Sequence, residues 1–100
     1  MKNIMDMKIY ELKAEKLKAM AHPYRLCILK GLAENKCNVS KIQDCLGLPQ
    51  STISQHLSKL RAAGLIKGER NGQEICYKVV DEEALRIIKA MRTEPVAFVT

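Results

Sequence analysis

The chain has 100 residues, with 17 Lys and Arg against 11 Asp and Glu, for a formal charge of +6 and a pI near 9.3. Hydrophobic residues make up 47% of it, ample for one small core, and no stretch approaches a membrane span, so an intramembrane protein is excluded and a single domain over residues 1–100 is expected. With no leading apolar segment of the signal-peptide kind, the chain reads as cytoplasmic; its four cysteines then read as thiols or ligands rather than structural disulfides.

In chain order, Met1 to Met7 is Met-rich and expected to fray. From about Asp6 a helix runs to Met20, with Ile9, Leu12, Leu17 and Met20 spread over nearly half its circumference. Lys8, Lys13, Lys16 and Lys18 make its remaining surface basic, and so apolar a helix needs a partner. His22-Pro23 ends it and starts the next, with His22 at the cap and Pro23 at the first helical position. The second helix, about Pro23 to Ala33, carries Leu26, Leu29 and Ala33 on one face and Tyr24, Cys27 and Ile28 on another, which predicts cover on both sides. Val39, Ile42 and Leu46 then give a short third helix, with Asn38 as its N-cap and Gly47 as its breaker.

The next stretch is the most informative. Ile53, Leu57 and Leu60, at i, i+4 and i+7, form the apolar stripe of a helix that Pro49 opens and Gly64 closes. Its other faces hold Ser51, Thr52, Ser54, Gln55, His56, Ser58 and Lys59 and no carboxylate, which suits a helix meeting a polyanion. A short helix, a Gly-Leu-Pro turn and a second helix make the helix-turn-helix pattern, whose second helix enters the DNA major groove by its N-terminal residues. The alternative is an ordinary helical hairpin in a bundle. Against it, a β-hairpin follows at once: Leu65 to Arg70 and Glu74 to Val80 flank Asn71-Gly72, a strong signal for a two-residue turn. The expected fold is mainly α with a small β-hairpin, a winged helix-turn-helix. Asp81 caps a last helix with Glu82 and Glu83 in its first turn and Leu85, Ile88 and Met91 on one face; Pro95 lies at or beyond its end.

Candidate DNA contacts follow from position and chemistry. Gln50, Ser51, Thr52, Ser54 and Gln55 lie near the N-terminus of the recognition helix, and Gln55 is the preferred base reader because its amide bonds adenine at two points. Ser54 and His56 are candidates for base or phosphate. Lys41, Lys59 and Arg61 are placed to meet phosphate or solvent, and Arg70, Asn71 and Gln73 at the hairpin tip to reach phosphate or the minor groove.

Leu17-Lys18-Ala19-Met20-Ala21-His22-Pro23-Tyr24-Arg25-Leu26-Cys27-Ile28-Leu29 resembles the "LKALADPTRLRIL" segment of the arsenic-repressor (ArsR/SmtB-type) winged-helix regulators. Leu46 through Leu57 is similar to their "LGLSQSTVSHHL", and the likeness covers about residues 12–91. It implies a sequence-specific transcriptional regulator, by default a repressor, that dimerises through its terminal helices and binds inverted-repeat operators. The apolar stripes of the first and last helices, which one chain would leave partly wet, agree with a homodimer.

The sensing residues of relatives are where the chain departs. Metal-sensing relatives carry a Cys-Val-Cys box that falls here on Asn38-Val39-Ser40, and others use Asp and His on the last helix, which has no His from Asp81 to Met91. No metal site and no cofactor are expected. Thiol-sensing relatives join a second-helix cysteine to one on the last helix; Cys27 is on the second helix, but the last helix has none. Two readings stay open: Cys27, Cys45 and Cys76 as small buried hydrophobes with Cys37 exposed in a basic loop, or Cys27 and Cys37 as redox-responsive thiols. An enzyme is not expected, since phosphate loop, nucleophile elbow and carboxylates paired beside a His are all missing. A winged helix that binds a protein partner remains the alternative to DNA.

Overall fold

A computed structural model describes residues 4–34, 43–44 and 46–92 of the chain. Its elements are α1 (Ile4–Met20), α2 (Pro23–Glu34), α3 (Gln50–Ala62), β1 (Ile66–Asn71), β2 (Glu74–Val79) and α4 (Glu82–Ala90). The architecture is the expected one, mainly α with one antiparallel hairpin. The short helix expected over Val39 to Leu46 lies mostly outside the described residues; Gln43, Asp44 and Leu46 are helical, and the Gly47 N–H donates to the Gln43 carbonyl at 2.9 Å.

The core is aliphatic, built from Met20, Ile28, Leu29, Leu32, Ile53, Leu57, Leu60, Leu65, Ile66, Ala84 and Ile88. α2 lies at its centre, packed against α3, β2 and α4. Its covered sides carry Leu29, Ile28 and Leu32, with Leu26 and Ala33 half-buried, while Tyr24 and Cys27 face outward. The grouping of Tyr24 and Cys27 with Ile28 on a covered face is therefore corrected: Ile28 packs with Leu32 one turn on, and the other two point to solvent. His22 caps α2 as expected, its Nδ1 accepting the Tyr24 N–H at 3.1 Å and its carbonyl the Leu26 N–H at 2.8 Å.

α1 behaves as a helix without enough partner. Met20 is buried, but Met7, Ile9, Tyr10, Leu12 and Leu17 are half or more exposed. Its polar side is tied down instead: Lys16 reaches Asp81 at 3.0 Å and Glu83 at 2.7 Å, and Lys13 reaches Glu83 at 2.5 Å, joining α1 to the start of α4. On α4 the Asp81 carboxylate accepts the Ala84 N–H at 2.8 Å, as a capping Asp should. The inward face of α4 is Ala84 and Ile88 rather than the expected Leu85, Ile88 and Met91; Leu85 is half-buried and Met91 exposed.

The end of α3 is closed by Gly64 at φ +78, with the Leu65 N–H donating to Leu60 at 3.0 Å and the Gly64 N–H to Arg61 at 2.9 Å. These are the two bonds of a Schellman cap. Leu65, fully buried, then starts the hairpin, in which Gly68 pairs with Tyr77 and Asn71 with Glu74. That register moves the turn: Gly72 and Gln73, not Asn71 and Gly72, form the two-residue loop, with Gly72 at φ +71. A glycine at the first loop position suits a type II′ turn, which leaves Asn71 free to pair in the ladder.

Candidate nucleic-acid interface

α3 opens at Pro49, whose extended backbone (φ −60°, ψ 150°) turns the chain into the helix without a side-chain cap. The Thr52 and Ile53 N–H groups donate to the Pro49 carbonyl at 3.1 and 3.2 Å, which leaves the N–H groups of the first two helical residues without an acceptor inside the helix. Ile53, Leu57 and Leu60 anchor the inner face in the core. That anchoring turns Gln50, Ser51, Ser54, Gln55, Ser58, Lys59 and Arg61 outward as one exposed surface, with Thr52 half-buried at its edge. No acid stands in the first turn, and the last turn holds Lys59 and Arg61, where cations favour the helix dipole.

The wing stands beyond this surface. Arg70, Asn71 and Gln73 are all exposed at its tip, as expected, but so are Glu69 and Glu74, two carboxylates that dilute the positive charge there. Lys41 and Cys37 lie outside the described residues. Cys27 is exposed, against the reading of it as a buried hydrophobe. Cys76 is disulfide-bonded, also against expectation. Among the described residues, no group of three or more His, Cys, Asp and Glu is arranged to hold a metal ion, and no helix is long and apolar enough to cross a membrane.

His56 is the candidate whose setting differs most from the outward residues. It is half-buried, and its ring lies 4.6 Å from that of His22 and 5.7 Å, edge-on, from that of Tyr24. Its Nδ1 is 3.3 Å from Nη1 of Arg25, whose Nε donates to the Ala19 carbonyl at 2.5 Å. Burial pushes the imidazole pKa down, and the positive field of His22, Arg25 and Lys59 pushes it further the same way. Sequence spacing missed this cluster, because Arg25 and His56 are 31 residues apart and neither falls in the other's periodic pattern.

Comparison with known proteins places these features in a family. A family model described as "Bacterial regulatory protein, arsR family" matches residues 22–67. The chain is 39% identical over 80 residues to the "HTH-type transcriptional repressor SmtB" of Mycobacterium tuberculosis, and spans 59% of that protein's length. It is 47% identical over 79 residues to the "Transcriptional repressor PagR" of Bacillus anthracis, covering 78% of this chain and 79% of that protein. The solved structure of PagR superposes with a TM-score of 0.74 at 44% identity over 83% of this chain and 95% of that one. A Mycobacterium bovis domain, titled a homodimeric winged helix-turn-helix DNA-binding domain, superposes with a TM-score of 0.77 at 27% identity, covering 88% of this chain and 82% of that one.

Proposed function

The chain belongs to the arsR family of bacterial regulatory proteins, and from that membership we propose that it is a transcriptional repressor that binds an inverted-repeat operator as a homodimer. The observation that carries the reading is the outer face of α3, polar and basic, free of carboxylates, and held outward by three buried apolar residues on the opposite side. Gln55 reads a base edge, with Ser54 beside it; Gln50, Ser51 and Thr52 place the helix N-terminus against phosphate, and Lys59 and Arg61 add charge further along. Lys41 grips the backbone, and Arg70, Asn71 and Gln73 on the wing follow the adjacent groove.

The dimer is formed through the terminal helices. Support comes from the exposed Met7, Ile9, Tyr10, Leu12 and Leu17 of α1 and Met91 just past α4, an apolar set that is costly to leave wet. A twofold axis through them sets two copies of α3 about one helical turn of DNA apart. The activity is binding, with steric exclusion of polymerase as the means of repression. Control by oxidants is the second reading, and it rests on the exposed Cys27 thiol, with Cys37 as its candidate partner.

The test is binding of the purified protein to duplex DNA from its own promoter region at several salt concentrations, reduced and then oxidised. Tight binding that weakens steeply with salt supports an operator-binding protein, since each phosphate contact releases counterions. Salt-insensitive or absent binding favours the protein-partner alternative. Loss of binding on oxidation that Cys27→Ser abolishes supports the thiol reading.

A further inference from the structure

The cluster around His56 does more than fill space. Arg25 holds two acceptors at once, the Ala19 carbonyl at the end of α1 and Nδ1 of His56 in the middle of α3. A guanidinium only donates, so His56 must offer the Nδ1 lone pair and carry its proton on Nε2. The Nδ1 of His22 is an acceptor too, for the Tyr24 N–H. His56 is thus a neutral imidazole in this arrangement, its ring tilted 45° to that of His22 with centroids 4.6 Å apart. His56 directly follows Gln55, so whatever sets its position sets where the neighbouring amide meets a base.

We propose that Arg25 and His56 form a positioning pair for DNA readout, in which Arg25 ties α3 to the α1–α2 corner through neutral His56, and protonation of that imidazole releases the tie. The proposal rests on the DNA-binding reading above and deepens it, moving His56 from a contact with DNA to a support for the residues that make contact.

The surroundings give the release its direction. Facing His56 are His22 and Tyr24 from the corner before α2 and its first turn, Arg25 from α2, and Lys59 from α3. From α1, Lys18 and Glu15 line the open cleft beside Arg25 and Lys59, and Glu15 is drawn to Lys18 at 3.7 Å. An added proton on His56 meets Arg25 as a second donor and adds charge to a basic cluster, so it weakens the contact twice. A histidine touching phosphate does the opposite, because its protonation strengthens binding to any duplex.

The experiment exploits that opposition. A preferred duplex is first selected by the wild-type protein from a random duplex library at about pH 8, where a histidine of ordinary pKa is neutral. Affinity for it and for a scrambled duplex is then measured by fluorescence anisotropy down to about pH 5 at constant ionic strength, with circular dichroism confirming the fold at each step. For the wild type, the ratio of preferred to scrambled affinity falls about tenfold on acidification, a shift of about 1.4 kcal/mol. His56→Asn supplies an acceptor oxygen that does not titrate, so it keeps the ratio at the upper pH and flattens the profile. His56→Leu and Arg25→Lys lower the ratio at the upper pH with scrambled binding unchanged, since neither restores a forked donor facing an acceptor. A wild-type ratio that is flat, or affinities that rise together on acidification, overturns the proposal, as does a His56→Leu protein with the wild-type ratio. Failure to select any preferred duplex overturns the DNA reading first, and is told apart by being visible before any variant is made.

Discussion

Replacing Gly64 by Ala perturbs the joint between recognition helix and wing, and the cost can be worked out from the geometry. Gly64 sits at φ +78, where an L-residue pays about 1–2 kcal/mol, and a Cβ placed there meets nothing within 4 Å. The penalty is therefore conformational, with no clash to add. Ala also narrows the unfolded ensemble, which returns about 0.4–1 kcal/mol, so the net loss is about 1 kcal/mol. Much hangs on this turn. It brings the Leu65 N–H onto Leu60 and sets the Leu65 carbonyl to accept from Val80 at 2.9 Å and Asp81 at 3.4 Å, so one residue ends α3 and receives the chain as it enters α4. The assay is urea unfolding at one protomer concentration, with an unchanged slope and a midpoint lowered to match, or a melting temperature lower by about 4–8 °C. Gly64→Asn recovers part of the loss, because Asn tolerates the left-handed region. Wild-type stability in Gly64→Ala, or a Gly64→Asn protein no better than it, refutes the reasoning. Gly68→Ala is the contrast: its Cβ comes within 2.8 Å of the Tyr77 ring, so the loss there is steric and pairs with a smaller residue at Tyr77 rather than with Asn.

Three further outcomes are expected. Gln55→Ala lowers discrimination at one base position per half-site by about 1–3 kcal/mol, whereas Lys59→Ala weakens all sequences alike and reduces the salt slope by about one; a panel of operator variants at two salt concentrations separates them. Glu83, bonded by Lys13 and then Lys16, has its carboxyl pKa held down to about 2 from 4.5, so its contribution to stability is complete above the unfolded value and is lost as pH falls from about 4.5 towards 2. Glu83→Gln is therefore expected to flatten acid unfolding in that window, and an unchanged acid limb counts against the clamp. Leu12 is 61% exposed on α1, so Leu12→Glu leaves the fold intact but yields monomers in sedimentation; a dimer that persists moves the interface away from α1.

The helices, hairpin and recognition face were legible because they are written in local code. Periodicity gave α3 its inner face of Ile53, Leu57 and Leu60, and the one left-handed position that ends it could only be Gly64. The turn of the wing shows where local code thins out: Asn71-Gly72 and Gly72-Gln73 both contain the required glycine, and only the pairing of Asn71 with Glu74 chooses between them. Faces of helices blurred for a similar reason. Met91 continues the spacing of Ile88, yet α4 ends at Ala90 and the next residue has left the helical path. The His22–Arg25–His56 cluster was not legible at all, being a contact between distant segments of types that are common on any surface.

Charge allocation carries the functional reading further than net charge does. A balance of +6 is compatible with simple solubility, and several of the cations on other elements have carboxylate neighbours: Lys13 and Lys16 with Asp81 and Glu83, Lys30 with Glu34, Lys67 with Glu69, Arg86 with Glu82. Among the described residues no such pair is made by Arg25, Lys59 or Arg61. Positive charge with no carboxylate against it thus stands along α3 and the corner that supports it, beside side chains built to read base edges. Moving one carboxylate there, as in Ser58→Glu, tests the point directly: it sits on an exposed helical position where stability is hardly touched, yet it opposes phosphate where the cations were left free. Undiminished operator binding by that variant would mean that the charge pattern is only a solvated surface.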